Sequence, residues 1–415
     1  MTGISKIFYE ISNGKTCRDL HHAHIKSCRT HFYNLLWTLL PGGFKLYVPL
    51  LVIPPLLKGK QLTWKYLQKH IWEYINISLK TYIQAVAALG SVCLLYKIFG
   101  KLHFYTVMAI PGMISALVAP KMIHSHLRLQ SITFFNMMLE VLIKKSNISM
   151  IQFLKNSRVF GTAMFMIMSG IIMNILQKSS INQFWLISPT KVKSLIHEIS
   201  DLNSNFEKKL IDNRKFCSHE EPCFNYIKDG IFKYTIAGLI LEVSKSIISR
   251  FPLLLQEPLK FCVKILKGLS FRLPLFLASY VGIFRMTSCI LSNFKKGDQP
   301  EFSKIAGNIS GIAFYIYPKY QIFTLAFTKS IEMSWNYSFD LMNKNNCVYR
   351  CMKSINDLPI LWMMRFIALG VMYHTALFYP HLSPAFNHKA FNFCSNNAVK
   401  TMKSSLISWM LATVN

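Results

Sequence analysis

The sequence predicts an all-α fold, a multi-pass transmembrane helical bundle built as two repeated halves. Long apolar runs recur along the chain, hydrophobic residues make up 52% of its 415 residues, and the mean hydropathy is +0.30. Charged residues make up 16%, against about 25% in an ordinary soluble protein. A water-soluble chain of this length would need a charged surface, so the shortage of charge indicates that lipid covers much of the surface.

The remaining charge is strongly basic, with 47 lysines and arginines against 18 aspartates and glutamates. A nucleic-acid-binding protein would concentrate its basic residues on a polar domain, and the sequence shows no such domain. Basic loops beside anionic lipid headgroups account for both the charge and the apolar runs. We therefore expect the lipid bilayer and its anionic headgroups as partners, and no nucleic acid.

The first transmembrane half follows a polar N-terminal segment, residues 1–31, and covers residues 32–176. Prolines break its first apolar run, which we interpret as one kinked span or two half-helices, because neighbouring membrane helices can satisfy the freed backbone groups. The short run at 131–143 carries Glu140 and is expected to be interfacial or re-entrant. The apolar runs of this half are 33–57, 74–100, 103–120, 131–143 and 160–176.

Residues 177–222 are polar and of mixed charge, and they contain the second of two Cys/His clusters. We interpret them as an aqueous linker with one amphipathic helix over 189–211. The second transmembrane half covers residues 223–380, and a polar C-terminal tail follows at 381–415. The apolar runs of the second half are 231–248, 273–291, 305–317, 322–333 and 358–379.

The two halves resemble each other in sequence. Cys28 precedes the first apolar run and Cys223 opens the second half, and the offset between them is 195 residues. At the same offset, Gly-Met-Ile-Ser-Ala at 112–116 matches Gly-Asn-Ile-Ser-Gly at 307–311. Such recurrence predicts an internal duplication. Duplicated membrane halves are common in transporters, whose pathway lies at the interface between the repeats.

Cysteine and histidine residues cluster before each half, and the pattern leaves three interpretations open. Both residue types are zinc ligands, so the two clusters could join to form one closed tetrahedral site. The cysteines could instead pair as disulfides on an oxidising side of the membrane. The spacings match no standard zinc module, so the clusters could also do neither. The candidate residues are Cys17, His22, Cys28, Cys217, His219 and Cys223.

Two further groups of residues stand out within the apolar runs. Arg285 and Arg365 each interrupt a run, and because a buried arginine is costly in a membrane, both are candidate charges of a transport pathway. Small residues spaced four apart let membrane helices approach closely. The expected helix-packing pairs are Gly112 with Ala116 and Gly307 with Gly311.

Catalytic signatures are missing from the sequence. It contains no Gly-x-Ser-x-Gly, no glycine-rich phosphate loop with its lysine and no His-Glu-x-x-His. No nucleophile and base pair is recognisable either. We therefore expect a protein that is not an enzyme.

The order of the motifs resembles the transmembrane protein 135 family. The N-terminal cluster Cys17…His22…Cys28, followed by Lys-Leu-Tyr-Val-Pro at 45–49, is similar to the cysteine-rich N-terminal domain of that family. The similarity continues in Cys-x-His…Cys…Ile-Lys-x-Gly at 217–230, and it returns in Thr-Ser-Cys at 287–289 and Ile-Ala-Gly-x-x-Ser-Gly at 305–311.

This resemblance implies a multi-pass protein of peroxisomal or mitochondrial membranes. The family is linked to mitochondrial fission and network balance and to peroxisomal and lipid metabolism, and it is distantly similar to the Tim translocases. The resemblance thus implies organelle-dynamics proteins as partners. The alternative, which rests on the predicted duplication, is a transporter or pore for a lipid, metabolite or ion with its pathway between the halves.

Overall fold

The computed structural model describes residues 2–23, 25, 27–58, 63–118, 124–179, 185–187, 189, 217, 219, 221–297, 299–342 and 347–414. Within these residues the chain forms seventeen α-helices and one 3-10 helix, and no strand. The α-helices are α1 Thr2–Ile11, α2 Cys17–His21, α3 Cys28–Lys58, α4 Trp64–Phe99, α5 Ala109–Val118, α6 His124–Lys145, α7 Ser149–Asn156, α8 Arg158–Lys178, α9 Cys223–Gln256, α10 Pro258–Lys267, α11 Arg272–Phe294, α12 Pro300–Ser310, α13 Tyr320–Leu341, α14 Cys347–Asn356, α15 Ile360–Phe378, α16 Ala385–Cys394 and α17 Ala398–Val414, and the 3-10 helix covers Gly311–Ile316.

Local sequence signals set the ends of the long helices. The Thr63 side chain accepts a hydrogen bond from the backbone N–H of Tyr66 at the start of α4, and Ser157 caps α8 in the same way. Such side chains satisfy amide groups that have no partner inside the helix. At its other end α4 stops at Gly100, whose φ of 70° is left-handed and favours glycine.

Four of the described helices, α4, α8, α11 and α15, are long and apolar enough to cross a membrane. Between 44% and 56% of each apolar stretch is buried within the protein. The apolar surface that remains exposed requires contact with lipid, because exposing so many hydrophobic side chains to water would be unfavourable. The predicted all-α, multi-pass membrane fold is therefore confirmed.

The chain forms two compact units, and the first contains Met1–Lys145 and Asn356–Asn415. In this unit α3 packs on α4, α4 packs on α5, and both α5 and α6 pack on α15. A Cβ atom added to Gly112 of α5 would lie 2.7 Å from the carbonyl oxygen of Leu369 and 3.1 Å from the Cα of Gly370. The backbones of α5 and α15 therefore touch directly at these glycines.

The second unit contains Ser146–Ile355. Here α9 packs on α11, α11 packs on α12, and both α12 and α13 pack on α8. A Cβ atom on Gly307 would lie 3.0 Å from the carbonyl oxygen of Ser169, and one on Gly311 would lie 2.6 Å from the Cα of Met166. At Gly307 and Gly311 the backbone of this segment therefore touches that of α8. The backbones of α5 and α15 touch in the same way at Gly112.

A buried chain of hydrogen bonds joins α8, α11 and α12 of the second unit with the segment that contains Trp185. The Ser169 hydroxyl donates to the Gly307 carbonyl at 2.7 Å and accepts from the Tyr280 hydroxyl at 2.6 Å. The indole N–H of Trp185 donates to the same Tyr280 oxygen at 3.0 Å. Because these polar groups are satisfied internally, they can be buried among apolar side chains without cost.

The compact units do not coincide with the predicted sequence halves. Helix α8 lies at the end of the predicted first half but packs in the second unit, and α15 lies at the end of the predicted second half but packs in the first unit. Apolar periodicity marks the buried face of a helix and carries no information on its partner. The sequence therefore could not place these two helices.

Helices also occupy segments that the sequence indicated as polar. Residues 381–415 contain α16 and α17, with Phe391, Met402 and Trp409 buried. In the N-terminal segment, Phe8 of α1 is buried. These helices bury only a few apolar side chains each, so their composition is polar although one side is part of the core.

Several predicted runs have a different extent in the structure. The proline-containing run at 33–57 belongs to one continuous helix, α3, and the run at 131–143 belongs to the 22-residue helix α6. Within the described part of the run at 103–120, residues 103–118, the helix is the short α5. The amphipathic helix predicted over 189–211 lies outside the described residues.

Candidate metal centres

Four residues of the first unit converge at the start of α3. Thr16 caps α2 in a reciprocal capping box with Asp19, which fixes the short helix that carries Cys17. His22 ends that helix, Cys28 begins α3, and Cys93 lies within α4. The ligand atoms of Cys17, His22, Cys28 and Cys93 all lie within 4.8 Å of one another, and we call these residues the first quartet.

The distances inside the first quartet are short and even. The Sγ atoms of Cys17 and Cys28 are 3.4 Å apart, and the Nε2 atom of His22 lies 3.9 Å from the former and 3.4 Å from the latter. The Nδ1 atom of His22 lies 3.1 Å from the carbonyl oxygen of Ile25. A carbonyl can only accept, so Nδ1 carries the proton and the Nε2 lone pair faces the sulfur atoms.

The surroundings of the first quartet favour a thiolate and neutral imidazoles. A hydrogen bond from Cys93, opposed by burial, lowers the pKa of the Cys17 thiol to about 5. Burial lowers the pKa of His21 to about 3 and that of His31 to about 4. The His31 ring stacks on His22 with centroids 4.4 Å apart, so it helps to hold the ligand in orientation.

The second unit contains a quartet of the same composition. Cys217 and His219 precede α9, Cys223 is the first residue of α9, and Cys289 lies within α11. Their ligand atoms also lie within 4.8 Å of one another, and we call these residues the second quartet. The Nε2 atom of His219 lies 3.3 Å from the Sγ of Cys289 and 3.7 Å from that of Cys223.

The histidine of the second quartet is held in the same way as His22. Its Nδ1 atom donates to the carbonyl oxygen of Glu221 at 2.6 Å, which leaves Nε2 of His219 facing the cysteines. On one side the His219 ring stacks on Tyr226, with centroids 4.2 Å apart. Arg285 of α11 packs over the same Tyr226 ring at 4.0 Å and donates from Nη1 to the Tyr226 carbonyl.

Each quartet fits a tetrahedral metal ion. With bond lengths of about 2.3 Å to sulfur and about 2.0 Å to nitrogen, a tetrahedral zinc ion places two sulfurs about 3.8 Å apart and a sulfur and a nitrogen about 3.6 Å apart. The observed separations are 3.4 and 3.7 Å between sulfurs and 3.3–3.9 Å between sulfur and Nε2. These residues could therefore hold a metal ion with little movement.

The structure corrects the expectation of one joint site. Each sequence cluster is completed within its own unit by a cysteine that the sequence reasoning missed, Cys93 or Cys289. Both lie inside apolar runs, where a cysteine looks like an ordinary small apolar residue. The separation between Cys93 and Cys289 along the chain is within one residue of the 195-residue offset between the halves. This near-match is the sequence signal that could have identified them as ligands. His24 of the first cluster lies outside the described residues.

The cysteines that the structure describes are all free thiols. The Sγ atoms of Cys17 and Cys28 at 3.4 Å, and those of Cys217 and Cys223 at 3.7 Å, are separated by far more than the bond length of about 2.0 Å in a disulfide. The two sulfur pairs are thus unbonded in this structure, at separations that a metal ion could bridge.

The two arginines have different environments. Arg285 is held by Tyr226, with Asp229 3.9 Å away, so its charge is compensated beside the second quartet. The Arg365 side chain is only 2% exposed within α15, and its Nε and Nη2 atoms have no hydrogen-bond partner among the described residues. Arg365 therefore remains the stronger candidate for a functional charge.

Comparison with known families bears directly on the first quartet. Residues 14–147 match the family model for the N-terminal cysteine-rich region of Transmembrane protein 135. This stretch of the chain is therefore similar to the cysteine-rich region of that family. The matched region contains all four residues of the first quartet, Cys17, His22, Cys28 and Cys93, whereas the second quartet lies beyond it. No solved structure matches the chain.

Proposed function

We propose that this chain is a non-enzymatic, multi-pass organelle membrane protein whose two quartets are structural zinc centres. The observation that carries the proposal is the recurrence of one ligand set, three cysteines and one histidine, with tetrahedral spacing in each unit. Four protein ligands close the coordination sphere of zinc and leave no position for a reacting water or substrate. A closed site of this kind supports a structural role and not a catalytic one.

Zinc is the metal that this ligand chemistry favours. Thiolate and imidazole ligands in a tetrahedral arrangement select zinc or iron–sulfur chemistry. A single histidine whose Nδ1–H is held by a carbonyl, as in His22 and His219, is typical of a zinc ligand supported by its outer shell. Calcium and magnesium prefer oxygen ligands and do not suit these sites.

The proposed role of each centre is to join two long helices near one end. Cys28 and Cys93 would tie the start of α3 to α4, and Cys223 and Cys289 would tie the start of α9 to α11. Helix pairs inside a membrane gain little from the hydrophobic effect, because lipid is as apolar as their side chains. A metal clip at the polar end would therefore fix contacts that packing alone determines weakly.

The cellular role that we propose rests on the match of residues 14–147 to the transmembrane protein 135 family model. It is a function in peroxisomal or mitochondrial membranes that affects mitochondrial fission and network balance and lipid homeostasis, through organelle-dynamics proteins as partners. Support comes from the matched cysteine-rich region, from the four candidate spans and from a basic charge that suits anionic headgroups.

We also propose that the chain arose by internal duplication with exchange of the last helix. In support, α3, α4, α5 and α15 of the first unit pack in the same order of pairs as α9, α11, α12 and α8 of the second. The quartets occupy equivalent positions in both sets. The Gly112–Leu369 and Gly307–Ser169 approaches correspond as well.

The test of this function combines location with rescue. The tagged chain is expressed in cells that lack their own member of this family. We expect it to localise to peroxisomes or mitochondria and to restore the mitochondrial network and the lipid stores. Cys93→Ser is expected to reduce rescue, whereas Cys394→Ser, at a buried cysteine outside both quartets, is the matched control. A location only at the plasma membrane, or full rescue by a chain lacking both quartets, would contradict the proposal.

A second candidate function is transport of an anionic metabolite or lipid, and the buried Arg365 favours it. A guanidinium inside a candidate span attracts an anion when, as here, its Nε and Nη2 atoms have no hydrogen-bond partner among the described residues. If this function is correct, the purified chain in liposomes should transport an anionic lipid or metabolite, and Arg365→Gln should abolish the flux. No flux with the unaltered chain would remove this candidate.

A further inference from the structure

The nine cysteines whose side chains the structure describes fall into three groups. Six belong to the two quartets, and Cys394 is buried among apolar side chains. The remaining two, Cys347 and Cys351, are exposed and lie on the short helix α14. Neither the fold nor the proposed metal centres account for this exposed pair, so it calls for a separate explanation.

The geometry of α14 places both thiols on the same side. Residues four apart lie one above the other on a helix, about 6 Å from each other. At 100° per residue, the apolar side chains and the two cysteines fall within an arc of about 140°. This arc contains Cys347, Val348, Cys351, Met352 and Ile355.

The orientation of α14 is fixed by the protein at one edge of that arc. Met352 is buried, and the ring of the adjacent Tyr349 stacks on Phe339 of α13 with centroids 4.8 Å apart. At the other edge Cys347 and Cys351 are exposed, and Val348 is 50% exposed. An apolar surface thus continues outward from the anchored edge and ends at the two thiols.

A candidate membrane span follows α14 closely along the chain. Helix α14 ends at Asn356 and the candidate span α15 begins at Ile360. Four residue steps extend over at most about 14 Å, so the end of α14 lies within that distance of the start of the span. Arg350 and Lys353 are exposed on the polar side, as suits a helix lying among anionic headgroups.

We propose that Cys347 and Cys351 are sites of S-acylation by long-chain fatty acids. Exposed cysteines on an amphipathic helix next to a membrane span are the setting in which this modification occurs. The Sγ atom of each cysteine attacks the carbonyl carbon of a fatty acyl thioester. A new carbon–sulfur bond forms, the old thioester bond breaks, and the cysteine proton passes to the thiol that leaves. Nothing is oxidised or reduced.

The attached acyl chains extend the apolar side of α14 into the bilayer. One acyl chain holds a protein at a membrane only marginally, whereas two give stable attachment. The chain is already anchored by its spans, so the effect here is local. Acylation keeps α14 in the interface, and hydrolysis of the thioesters releases it. The pair would therefore control whether this basic helix lies on the membrane or is open to a partner.

The test counts thioesters on the full-length chain expressed in cultured eukaryotic cells. Membranes are dissolved in denaturant with a metal chelator, free thiols are blocked, and neutral hydroxylamine then cleaves thioesters before a maleimide of about 5 kDa labels the new thiols. We expect up to two mass steps that depend on hydroxylamine. Cys347→Ser or Cys351→Ser should each remove one step, and the double variant should remove both.

Controls separate this outcome from its alternatives. Cys394→Ser, at a buried cysteine, should leave both steps unchanged, and equal expression of all variants excludes misfolding as the cause. The proposal is overturned if no label depends on hydroxylamine, or if the double variant keeps both steps. It is also overturned if the label at these positions appears after a reductant instead, since that would identify disulfides.

Discussion

The Nε2 atom of His219 lies 3.3 Å from the Sγ of Cys289, although 70 residues separate the two along the chain. Cys289 belongs to a candidate membrane span, whereas His219 precedes helix α9. A polar segment and a membrane helix thus share one quartet. The first quartet has the same arrangement, with Cys93 of the candidate span α4 beside His22.

Replacing one span cysteine should remove one zinc ion and leave the other. Cys289→Ser deletes a ligand of the second quartet only, so purified protein should fall from about two zinc ions per chain to about one. Elemental analysis of detergent-purified protein measures this ratio. Cys93→Ser should give the same result independently, and the double variant should contain none. Two zinc ions in Cys289→Ser, or none in the unaltered chain, would rule out the centres.

Removing zinc should lower the thermal stability of the unaltered protein. Metal binding to a folded site contributes directly to folding free energy. A strong chelator is therefore expected to lower the apparent melting temperature by about 5 °C or more, and added zinc should restore it. The rate of alkylation at Cys28, the exposed ligand of the first quartet, should rise with the same chelator dependence. An unchanged melting temperature would show that the sites carry no structural metal.

The glycines at the helix contacts should not tolerate even one methyl group. A Cβ on Gly311 would lie 2.6 Å from the Cα of Met166, and one on Gly112 would lie 2.7 Å from the Leu369 carbonyl. Because backbone atoms cannot move aside, Gly311→Ala and Gly112→Ala are each expected to cost about 1–3 kcal/mol. Thermal unfolding in detergent measures the loss. Gly297→Ala, with nothing within 4 Å of the new Cβ, is the matched control and should change little.

Arg285 should stabilise the second quartet through Tyr226. Its guanidinium lies over the Tyr226 ring at 4.0 Å, and the His219 imidazole stacks on the same ring. Arg285→Ala is therefore expected to speed zinc loss to a competing chelator several-fold at the second quartet and to leave the first quartet unaffected. Arg285→Lys should retain part of the effect, since lysine keeps the charge but not the planar stacking. Equal rates in all three proteins would contradict this role.

Arg365 should not be required for stability. It is 2% exposed and lacks a hydrogen-bond partner at Nε and Nη2 among the described residues. Replacing such a buried charge by an apolar side chain of similar length is commonly neutral or stabilising. Arg365→Met is thus expected to keep or raise the melting temperature. A loss of cellular rescue without loss of stability would indicate that the charge serves function, and a clear fall in stability would show an unrecognised partner.

Much of this architecture was accessible from residue order alone. Apolar length and the shortage of charge are properties of each segment, so the all-α membrane fold and the regions of the four candidate spans could be predicted without tertiary contacts. Three of the six cysteine and histidine residues proposed from spacing, Cys17, Cys28 and Cys223, begin a helix, and all six are members of a quartet.

Tertiary packing determined the rest, because it brings together residues that no local pattern connects. Cys93 and Cys289 complete the quartets from inside apolar helices, where the sequence shows only small apolar residues. The packing partners of α8 and α15 likewise depend on the close backbone contacts that glycines permit. These contacts are Gly307 with Ser169 of α8 and Gly112 with Leu369 of α15. A single apolar helix carries no record of its neighbour, so only the folded chain could show two separate quartets of candidate ligands where the sequence left one joint site as an interpretation.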